Sequence, residues 1–325
     1  MNTAQAQLGA VLSAGGPSLA RLLERTEARL AEVAEGQGAA LGAHAAGTLA
    51  AGGKRLRPVL VFLCGDDGGD GADERLVAAG AAVELLHMAT LVHDDVLDAA
   101  ELRRGRPTVF AEAGRAAATA TGDLLFSRAF AELAATGSED AVRALSTASS
   151  ALARGELMQG ADAWDENVAP ERYLERCRLK TASLFEASCR LGALFGGRPD
   201  LAPALGQFGE RLGVAFQMLD DVLDVSGPAE RTGKPRGADL LDGTVTLPLI
   251  LARRQDPTLP GEVKTPAQAE AVSNRIAATG ALEDARAQAL AHVTAAKQAL
   301  DGLQLAERRT HALQLVADGV VERYA

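Results

Sequence analysis

Apolar side chains recur along much of this chain at the intervals of three and four residues that an α-helix produces. Between residues 18 and 35, Arg and Glu occupy many of the other positions, and the apolar residues at helical intervals are Leu19, Leu22, Leu23, Leu30 and Val33. Few segments alternate apolar and polar residues with β-branched side chains, as a half-buried strand does. The pattern therefore predicts an all-α protein.

Two longer segments are apolar on nearly every face. Residues 73–98 carry few charges before His93, and residues 205–225 are similar. A helix that is apolar all round is buried inside a bundle. No short tandem repeat or low-complexity linker divides the chain. We therefore expect one domain over residues 1–325, with two central helices of matching role.

Composition supports the helical prediction and limits the classes of function. Of the 325 residues, 47% are hydrophobic and only 3% are aromatic. Ala and Leu dominate, and such side chains lose little rotamer freedom in a helix. The net charge of −10 argues against binding to nucleic acid or to anionic membranes, since both need a surplus of Lys and Arg.

Cysteine content and the first residues bear on the compartment. Cys64, Cys177 and Cys189 are odd in number and lack metal-ligand spacing, so we predict small buried residues of a reduced protein. Residues 1–16 lack the basic segment and apolar stretch of a secretory signal. The sequence contains no run of about 18 uncharged apolar residues, the length that would indicate a membrane span. We expect a soluble, cytoplasmic protein without stable membrane insertion.

Both apolar segments end in the same pentapeptide, because residues 94–98 and 220–224 each read Asp-Asp-Val-Leu-Asp. Positions four apart share a helix face, so Asp94 should lie above Asp98, and Asp220 above Asp224. One copy alone could be the solvated polar end of a helix. Two identical copies after unusually apolar helices indicate a shared chemical role.

Carboxylates at a helix C-terminus need a positive partner, because the dipole there is negative and the charges repel one another. Mg²⁺ prefers oxygen ligands and typically takes one or two carboxylates, several waters and a substrate phosphate. Paired clusters could thus hold a diphosphate and stabilise it as a leaving group. A two-metal phosphohydrolase also fits the carboxylates, whereas the apolar helices favour an oily substrate over a sugar phosphate.

Two basic runs supply cations for such a diphosphate. Residues 53–58 read Gly-Lys-Arg-Leu-Arg-Pro, and residues 102–107 read Leu-Arg-Arg-Gly-Arg-Pro. Arg binds phosphate through bidentate hydrogen bonds and Lys as a point charge. Either run alone could serve solubility or local salt bridges. The pattern is completed by Lys180, Thr181, Gln217 and Lys234.

These residues resemble the polyprenyl diphosphate synthases, the trans-isoprenyl diphosphate synthase family, from about Gly52 to Pro248. The stretches that carry the resemblance are residues 53–58, 84–98, 103–105, 122–123, 180–181, 216–224 and 246–248. The resemblance implies a single large helical bundle around a deep central cavity, usually as a homodimer. It also implies a transferase that condenses isopentenyl diphosphate head-to-tail with an allylic prenyl diphosphate.

The resemblance further implies roles for single residues. The expected ligands of three Mg²⁺ ions are Asp94, Asp98 and Asp220, supported directly or through water by Asp95, Asp221 and Asp224. The expected ligands of the allylic diphosphate are Arg103, Lys180 and Lys234. Those of isopentenyl diphosphate are Lys54, Arg57, His87 and Arg104, although His87 also fits a hydrogen-bonded core histidine. Thr181 and Gln217 would lie near the reacting carbons and the pyrophosphate.

Three positions bear on rate and product length. Thr244 stands where members of this family commonly have Lys, which predicts a weaker hold on the allylic diphosphate unless nearby Arg236 compensates. Ala89 and Thr90, one turn before Asp94, are small, whereas short-chain members often place aromatic rings there. We therefore expect a product longer than farnesyl diphosphate, either geranylgeranyl or a medium or long chain.

Other assignments remain open at this stage. Phe126 and Phe130 fit either a deeper floor of the cavity or plain core. A class I terpene cyclase ionises a similar diphosphate, but it has no isopentenyl diphosphate to bind through Lys54, Arg57 and Arg104. A noncatalytic subunit of a heteromeric prenyl synthase is the other alternative, since Thr244 departs from the family pattern.

Overall fold

In the described part of the first half of the chain, helices follow one another and one short hairpin lies between the fifth and the sixth helix. The computed structural model describes residues 3–35, 38–50, 53–65, 71–103, 105–227 and 236–322. The helices in this half are α1 Thr3–Gly15, α2 Pro17–Glu35, α3 Ala39–Ala50, α4 Leu56–Cys64, α5 Ala72–Leu97, α6 Val109–Ala134 and α7 Glu139–Ala161. The antiparallel hairpin pairs β1 Leu102–Arg103 with β2 Arg106–Pro107.

The second half of the described chain is helical as well. Its helices are α8 Pro170–Cys177, α9 Ser183–Phe195, α10 Ala202–Ser226, α11 Ala238–Leu241, α12 Leu247–Gln255, α13 Pro266–Ala278, α14 Ala281–Gln298 and α15 Glu307–Glu322. A π-helical turn, Arg178–Ala182, joins α8 to α9, and a 3₁₀ turn, Pro199–Leu201, precedes α10. This architecture confirms the all-α prediction.

The chain divides into two compact units. The first consists of the described parts of Met1–Ser149, Leu184–Gly209 and Gly302–Leu315. The second consists of the described parts of Ser150–Ser183, Glu210–Asp301 and Val316–Ala325. The expectation of one domain over the whole chain stays a prediction.

Helix α5 forms the centre of the first unit, where it packs against α2, α4 and α6. Most of its side chains are buried, from Ala72 to Val96. By length and composition alone α5 could span a membrane, but 72% of its most apolar 18-residue stretch is buried inside the protein. This is the environment of a core helix, as the pattern of residues 73–98 predicts.

Two further sequence predictions are confirmed by burial. Helix α2 buries Leu19, Leu22, Leu30 and Val33 and leaves Leu23 half-buried. Its Arg and Glu side chains point toward solvent or form ion pairs, as in an amphipathic helix. The three cysteines are free thiols and all are buried.

Candidate active site

The first aspartate cluster occupies the last turn of α5. Asp94 is half-buried, Asp98 is exposed, and Asp95 between them is buried. The Asp98 N–H donates to the Asp94 carbonyl at 2.8 Å, so the helical hydrogen-bond pattern continues to the end of the cluster. Asp94 and Asp98 therefore share the same helix face, as their spacing predicts.

Asp95 is paired with Arg103 in the hairpin. Arg103 Nε donates to Asp95 Oδ1 at 2.8 Å, and Arg103 Nη2 lies 2.7 Å from the same oxygen. Arg106 stands opposite Arg103 in the hairpin register and is exposed. The hairpin thus neutralises the Asp95 carboxylate through Arg103 and carries a second guanidinium, that of Arg106, opposite Arg103.

His93, directly before the cluster, is held by the segment Gly122-Asp123 of α6. Its Nε2 lies 3.2 Å from Asp123 Oδ1. A Cβ atom at Gly122 would lie only 2.2 Å from His93 Nε2, so the imidazole occupies the space that a side chain at residue 122 would need. The absence of a side chain at Gly122 thus allows the close approach of the His93 ring.

The three cations of the basic run at residues 53–58 have different environments. Arg55 is bound to carboxylates, since its Nε donates to Glu27 Oε1 at 2.5 Å and its Nη1 donates to Glu84 Oε1 at 2.8 Å. Arg57 lies over the Phe185 ring, with its Cζ atom 4.8 Å from the centroid. Lys54 is exposed. Arg55 thus fastens the start of α4, while Lys54 faces solvent.

The two residues one turn before Asp94 are small and differ in burial. Ala89 is fully buried, and Thr90 is half-buried, with its hydroxyl donating to the His87 carbonyl at 2.8 Å. On α6, the Phe126 and Phe130 rings have centroids 5.2 Å apart. Phe126 is 37% exposed, so its assignment to plain core is not supported.

The second aspartate cluster lies near the end of α10, in the second unit. Here Asp220 is exposed, Asp224 is half-buried, and Asp221 is buried. Asp224 accepts hydrogen bonds from the backbone N–H groups of Ala238 and Asp239, at 3.1 and 3.3 Å. Its carboxylate thereby caps the first turn of α11.

Asp221 belongs to a chain of hydrogen bonds inside the second unit. Tyr173 Oη donates to Asp221 Oδ2 at 2.7 Å, and Gln217 Nε2 donates to Asp221 Oδ1 at 2.8 Å. Thr181 Oγ1 then donates to Gln217 Oε1 at 2.6 Å. The structure therefore brings together Thr181, Gln217 and Asp221, three of the predicted site residues.

Burial shifts the pKa values of two residues of the second unit, Asp221 and Cys177. It raises the pKa of Asp221 to about 7, and the charge of Asp239 adds to the effect, while the hydrogen bonds from Tyr173 and Gln217 oppose it. Burial also raises the pKa of Cys177 to about 12, which keeps this thiol protonated and unreactive.

Lys180 and Thr181 lie in the π-helical turn Arg178–Ala182. Lys180 Nζ lies 2.5 Å from Glu156 Oε2 and donates to Gln159 Oε1 at 3.2 Å. A Cβ atom at Gly155 of α7 would lie 2.5 Å from the Lys180 backbone nitrogen. Single π turns inside α-helices often occur at functional sites, and here the absent side chain of Gly155 lets α7 approach the turn.

The segment with Thr244 is held from two sides. The Thr244 N–H donates to the Asp239 carbonyl at 2.8 Å, and the Trp164 N–H donates to the Gly243 carbonyl at 3.0 Å. Arg236, the proposed substitute for the missing lysine, donates through Nε to the Val225 carbonyl and through Nη1 to Asn274 Oδ1 at 2.7 Å. Its guanidinium is thus held by protein groups next to α10.

A family model described as Polyprenyl synthetase matches residues 39–291. The chain belongs to the polyprenyl synthetase family. This finding confirms the resemblance stated above, and as a member of this family the protein is a trans-prenyltransferase.

Relatives agree with this assignment over most of their length. The heptaprenyl diphosphate synthase component 2 of Geobacillus stearothermophilus is 40% identical over 293 residues, 88% of this chain and 91% of the relative. The geranylgeranyl diphosphate synthase of Methanosarcina mazei is 36% identical over 283 residues, 84% of this chain and 86% of the relative.

A solved structure shows the same fold. The polyprenyl synthase from Caulobacter crescentus CB15, complexed with calcium and isoprenyl diphosphate, superposes with a TM-score of 0.84. Its sequence is 35% identical, and the match covers 95% of this chain and 98% of that chain. The all-α fold of the polyprenyl synthetase family is therefore the fold of this protein.

Within the described ranges, no three His, Cys, Asp or Glu side chains converge on one point. The carboxylates that are present still fit Mg²⁺, a hard cation that accepts oxygen ligands and fills its remaining positions with water and phosphate. Exposed Asp98 and Asp220 and their partners one turn away offer only oxygen atoms. The donor set of this polyprenyl synthetase thus suits a cation that arrives with a diphosphate.

Sequence reasoning did not find every residue that the structure places beside the clusters. Tyr173 lies 48 positions from Asp221, and nothing in its neighbourhood signals the contact. The segment Gly122-Asp123 did carry a signal as part of the resemblance, but its contact with His93 is visible only in the structure. Two predicted site residues, Arg104 and Lys234, lie outside the described residues.

Proposed function

We propose that this protein lengthens an allylic prenyl diphosphate by head-to-tail condensation with isopentenyl diphosphate. The observation that carries the proposal is the shared organisation of the two aspartate clusters. In each, the middle carboxylate is buried and hydrogen-bonded, by Arg103 or by Tyr173, while the first and third are more accessible. Each cluster thus offers carboxylate oxygens to a cation from a rigid helix end.

Magnesium would supply charge neutralisation of the departing diphosphate, and we propose three ions held by Asp94, Asp98 and Asp220, with Asp95, Asp221 and Asp224 in support. The calcium and isoprenyl diphosphate in the Caulobacter crescentus structure support an oxygen-ligated divalent cation with such a substrate. Arg103, Lys180 and Lys234 would bind the same allylic diphosphate through charge-assisted hydrogen bonds.

The second substrate needs its own cations. Lys54, Arg57, His87 and Arg104 would bind the diphosphate of isopentenyl diphosphate, and the exposure of Lys54 suits this role. Thr181 and Gln217 would lie beside the reacting carbons, where the allylic carbocation is attacked by the double bond of isopentenyl diphosphate. The proton then leaves, in our proposal to the pyrophosphate, and the apolar helices exclude water from the cation.

We propose a product longer than farnesyl diphosphate, because Ala89 and Thr90 leave the floor before Asp94 without an aromatic ring. The names of the two relatives, geranylgeranyl and heptaprenyl diphosphate synthase, support this range. We also propose a cytoplasmic homodimer, in keeping with the acidic net charge and the family resemblance.

A second candidate is the catalytic component of a heteromeric synthase. The relative from Geobacillus stearothermophilus carries the words "component 2" in its name, which favours a partner subunit in that protein. In this reading the aspartate clusters act as proposed, but turnover requires a second polypeptide.

Substrate dependence of diphosphate release tests the proposal against its rivals. Purified protein with Mg²⁺ should release pyrophosphate only when an allylic diphosphate and isopentenyl diphosphate are both present. Release from the allylic substrate alone indicates a cyclase, and release of monophosphate indicates a phosphohydrolase. Activity that requires an added cell extract, and that disappears when the protein is purified away from that extract, indicates the heteromeric synthase.

A further inference from the structure

Tyr173 lies in α8, outside every motif that the sequence pattern singles out, and its side chain is fully buried. Its hydroxyl donates to Asp221 Oδ2 at 2.7 Å. Burial raises the pKa of Tyr173 well above its ordinary value, and the charge of Asp221 adds to the effect, so the phenol stays protonated and remains a donor. A buried tyrosine hydroxyl usually finds a partner, and here the partner belongs to the second aspartate cluster.

Asp221 in turn determines the orientation of the Gln217 amide. The Gln217 Nε2 group donates to Asp221 Oδ1 at 2.8 Å, so the nitrogen end of the amide faces the carboxyl group. The amide oxygen then faces the other way, where Thr181 Oγ1 donates to it at 2.6 Å. The oxygen and the nitrogen of the Gln217 amide are assigned from their hydrogen-bond partners, because the shape of the amide does not distinguish them.

Both donors are needed to hold the carboxylate of Asp221 in place. The residue is only 4% exposed, and Tyr173 and Gln217 bind different oxygens of it. A buried carboxylate that loses one of two donors is destabilised, and it recovers by turning toward other donors or by admitting water. Either response changes the position of Gln217.

We propose that Tyr173 is a positioning residue for prenyl transfer, which acts through Asp221 to keep the amide oxygen of Gln217 directed at the Thr181 hydroxyl. The inference rests on the proposed function, in which Thr181 and Gln217 lie beside the reacting carbons. Orientation of these groups affects the reaction after both substrates are bound. Loss of the tyrosine hydroxyl therefore lowers kcat more than it changes KM.

The Tyr173→Phe variant keeps the ring and removes only the hydroxyl. We expect kcat to fall about tenfold, which is the size of effect seen for groups that orient a metal ligand through a hydrogen bond. KM for both substrates should stay unchanged within about twofold. Thr181→Val cuts the other end of the chain, and the double variant should be no slower than Thr181→Val alone, because the link is already broken. Additive losses, or an unchanged kcat in Tyr173→Phe, would overturn the inference.

Two controls separate positioning from general destabilisation. Ser273→Ala also removes a fully buried hydroxyl from the second unit, and its kcat should equal that of the wild type. Trp164 is the single tryptophan of the chain and bonds to the Gly243 carbonyl, so its emission reports on the segment beside Thr244. Unchanged emission in Tyr173→Phe shows that the unit is intact.

Crystal structures give a readout that does not depend on turnover. In wild-type crystals the Gln217 oxygen should bond to Thr181 Oγ1, and in Tyr173→Phe crystals this bond should be lost. A bond retained in the variant overturns the inference, even if the wild type shows no prenyl transfer. Absence of prenyl transfer by the wild type overturns only the proposed function.

A second variant covers the case in which Tyr173→Phe does not fold. Gln217→Met removes the amide and cuts the chain in the middle. It should reduce kcat as much as Thr181→Val does, and the two changes together should reduce it no further. Independent losses contradict a connected chain from Tyr173 to Thr181.

Discussion

At the scale of single residues, the two identical pentapeptides each bury their middle carboxylate, but against different partners. Asp95 is held by a guanidinium in the hairpin and Asp221 by a phenol in α8. Neighbouring carboxylates repel one another, and burial penalises the charged form. In both clusters the middle carboxylate is bound to a protein donor, while Asp98 and Asp220 are exposed to solvent.

Removal of an accessible carboxylate should abolish catalysis without unfolding the protein. We expect Asp94→Ala and Asp220→Ala each to lower kcat by at least about 100-fold, because each removes a proposed ligand of a catalytic cation rather than core volume. Steady-state kinetics with thermal denaturation tests both parts. Asp301→Ala, at another exposed aspartate, is the matched control. Wild-type kcat in either cluster variant would contradict the metal assignment.

A larger side chain at residue 89 should shorten the product. Ala89 is fully buried, so Phe there fills the floor one turn before Asp94 and costs about 1–3 kcal/mol of stability through overpacking. Liquid chromatography of the products from Ala89→Phe should show a shift to shorter prenyl diphosphates. The exposed Ala31 carries the control substitution Ala31→Phe. An unaltered length distribution would refute the floor model.

At the scale of elements, two local contacts fix the segments that carry the cations. The π turn brings Lys180 and Thr181 next to α7, where Gly155 allows the close approach. The start of α4 is fastened by Arg55, which bridges Glu27 of α2 and Glu84 of α5. Gly155 and Arg55 are not themselves proposed to bind a substrate, so each contact can be tested without removing a proposed substrate-binding side chain.

Gly155→Ala should displace the π turn. Its Cβ would lie 2.5 Å from the Lys180 nitrogen and 2.8 Å from the Lys180 Cα, and backbone atoms at such distances must move. We expect kcat to fall about tenfold, since misplaced catalytic groups lose much of their effect. Gly160→Ala on the same helix meets nothing within 4 Å and should keep wild-type kcat. Equal kinetics of the two variants would show that the turn does not depend on Gly155.

Arg55→Met should destabilise the first unit. The substitution leaves Glu84, which is 3% exposed, as a buried charge without this partner, at a cost of about 3 kcal/mol. Urea denaturation measures the loss. The double variant Arg55→Met with Glu84→Gln removes the charge and should recover about half of that loss. No recovery would argue that Arg55 stabilises the protein through other contacts.

At the scale of the whole molecule, the sequence predicts the elements better than the contacts between them. The helices around residues 18–35, 73–98 and 205–225 follow from apolar spacing, because burial of one face or of all faces leaves a local signature. The aspartate clusters follow from repetition. These features depend on residues that are close in the sequence.

The unpredicted features depend on residues far apart in the chain. Tyr173 meets Asp221, Glu84 meets Arg55, and Gly122 makes room for His93, but no local pattern marks these pairs. The basic run at residues 53–58 looks uniform in sequence, yet Arg55 turns out to be structural because two carboxylates from other helices reach it. Long-range burial, rather than composition, decides which charges remain available to a substrate.

Product analysis tests the central claim most directly. Wild-type protein alone, with Mg²⁺, labelled isopentenyl diphosphate and, in separate reactions, dimethylallyl, geranyl, farnesyl or geranylgeranyl diphosphate, should give linear prenyl diphosphates longer than farnesyl, each extended by whole isopentenyl units. A cyclised hydrocarbon, or no product without a second polypeptide, would contradict chain elongation by this protein alone.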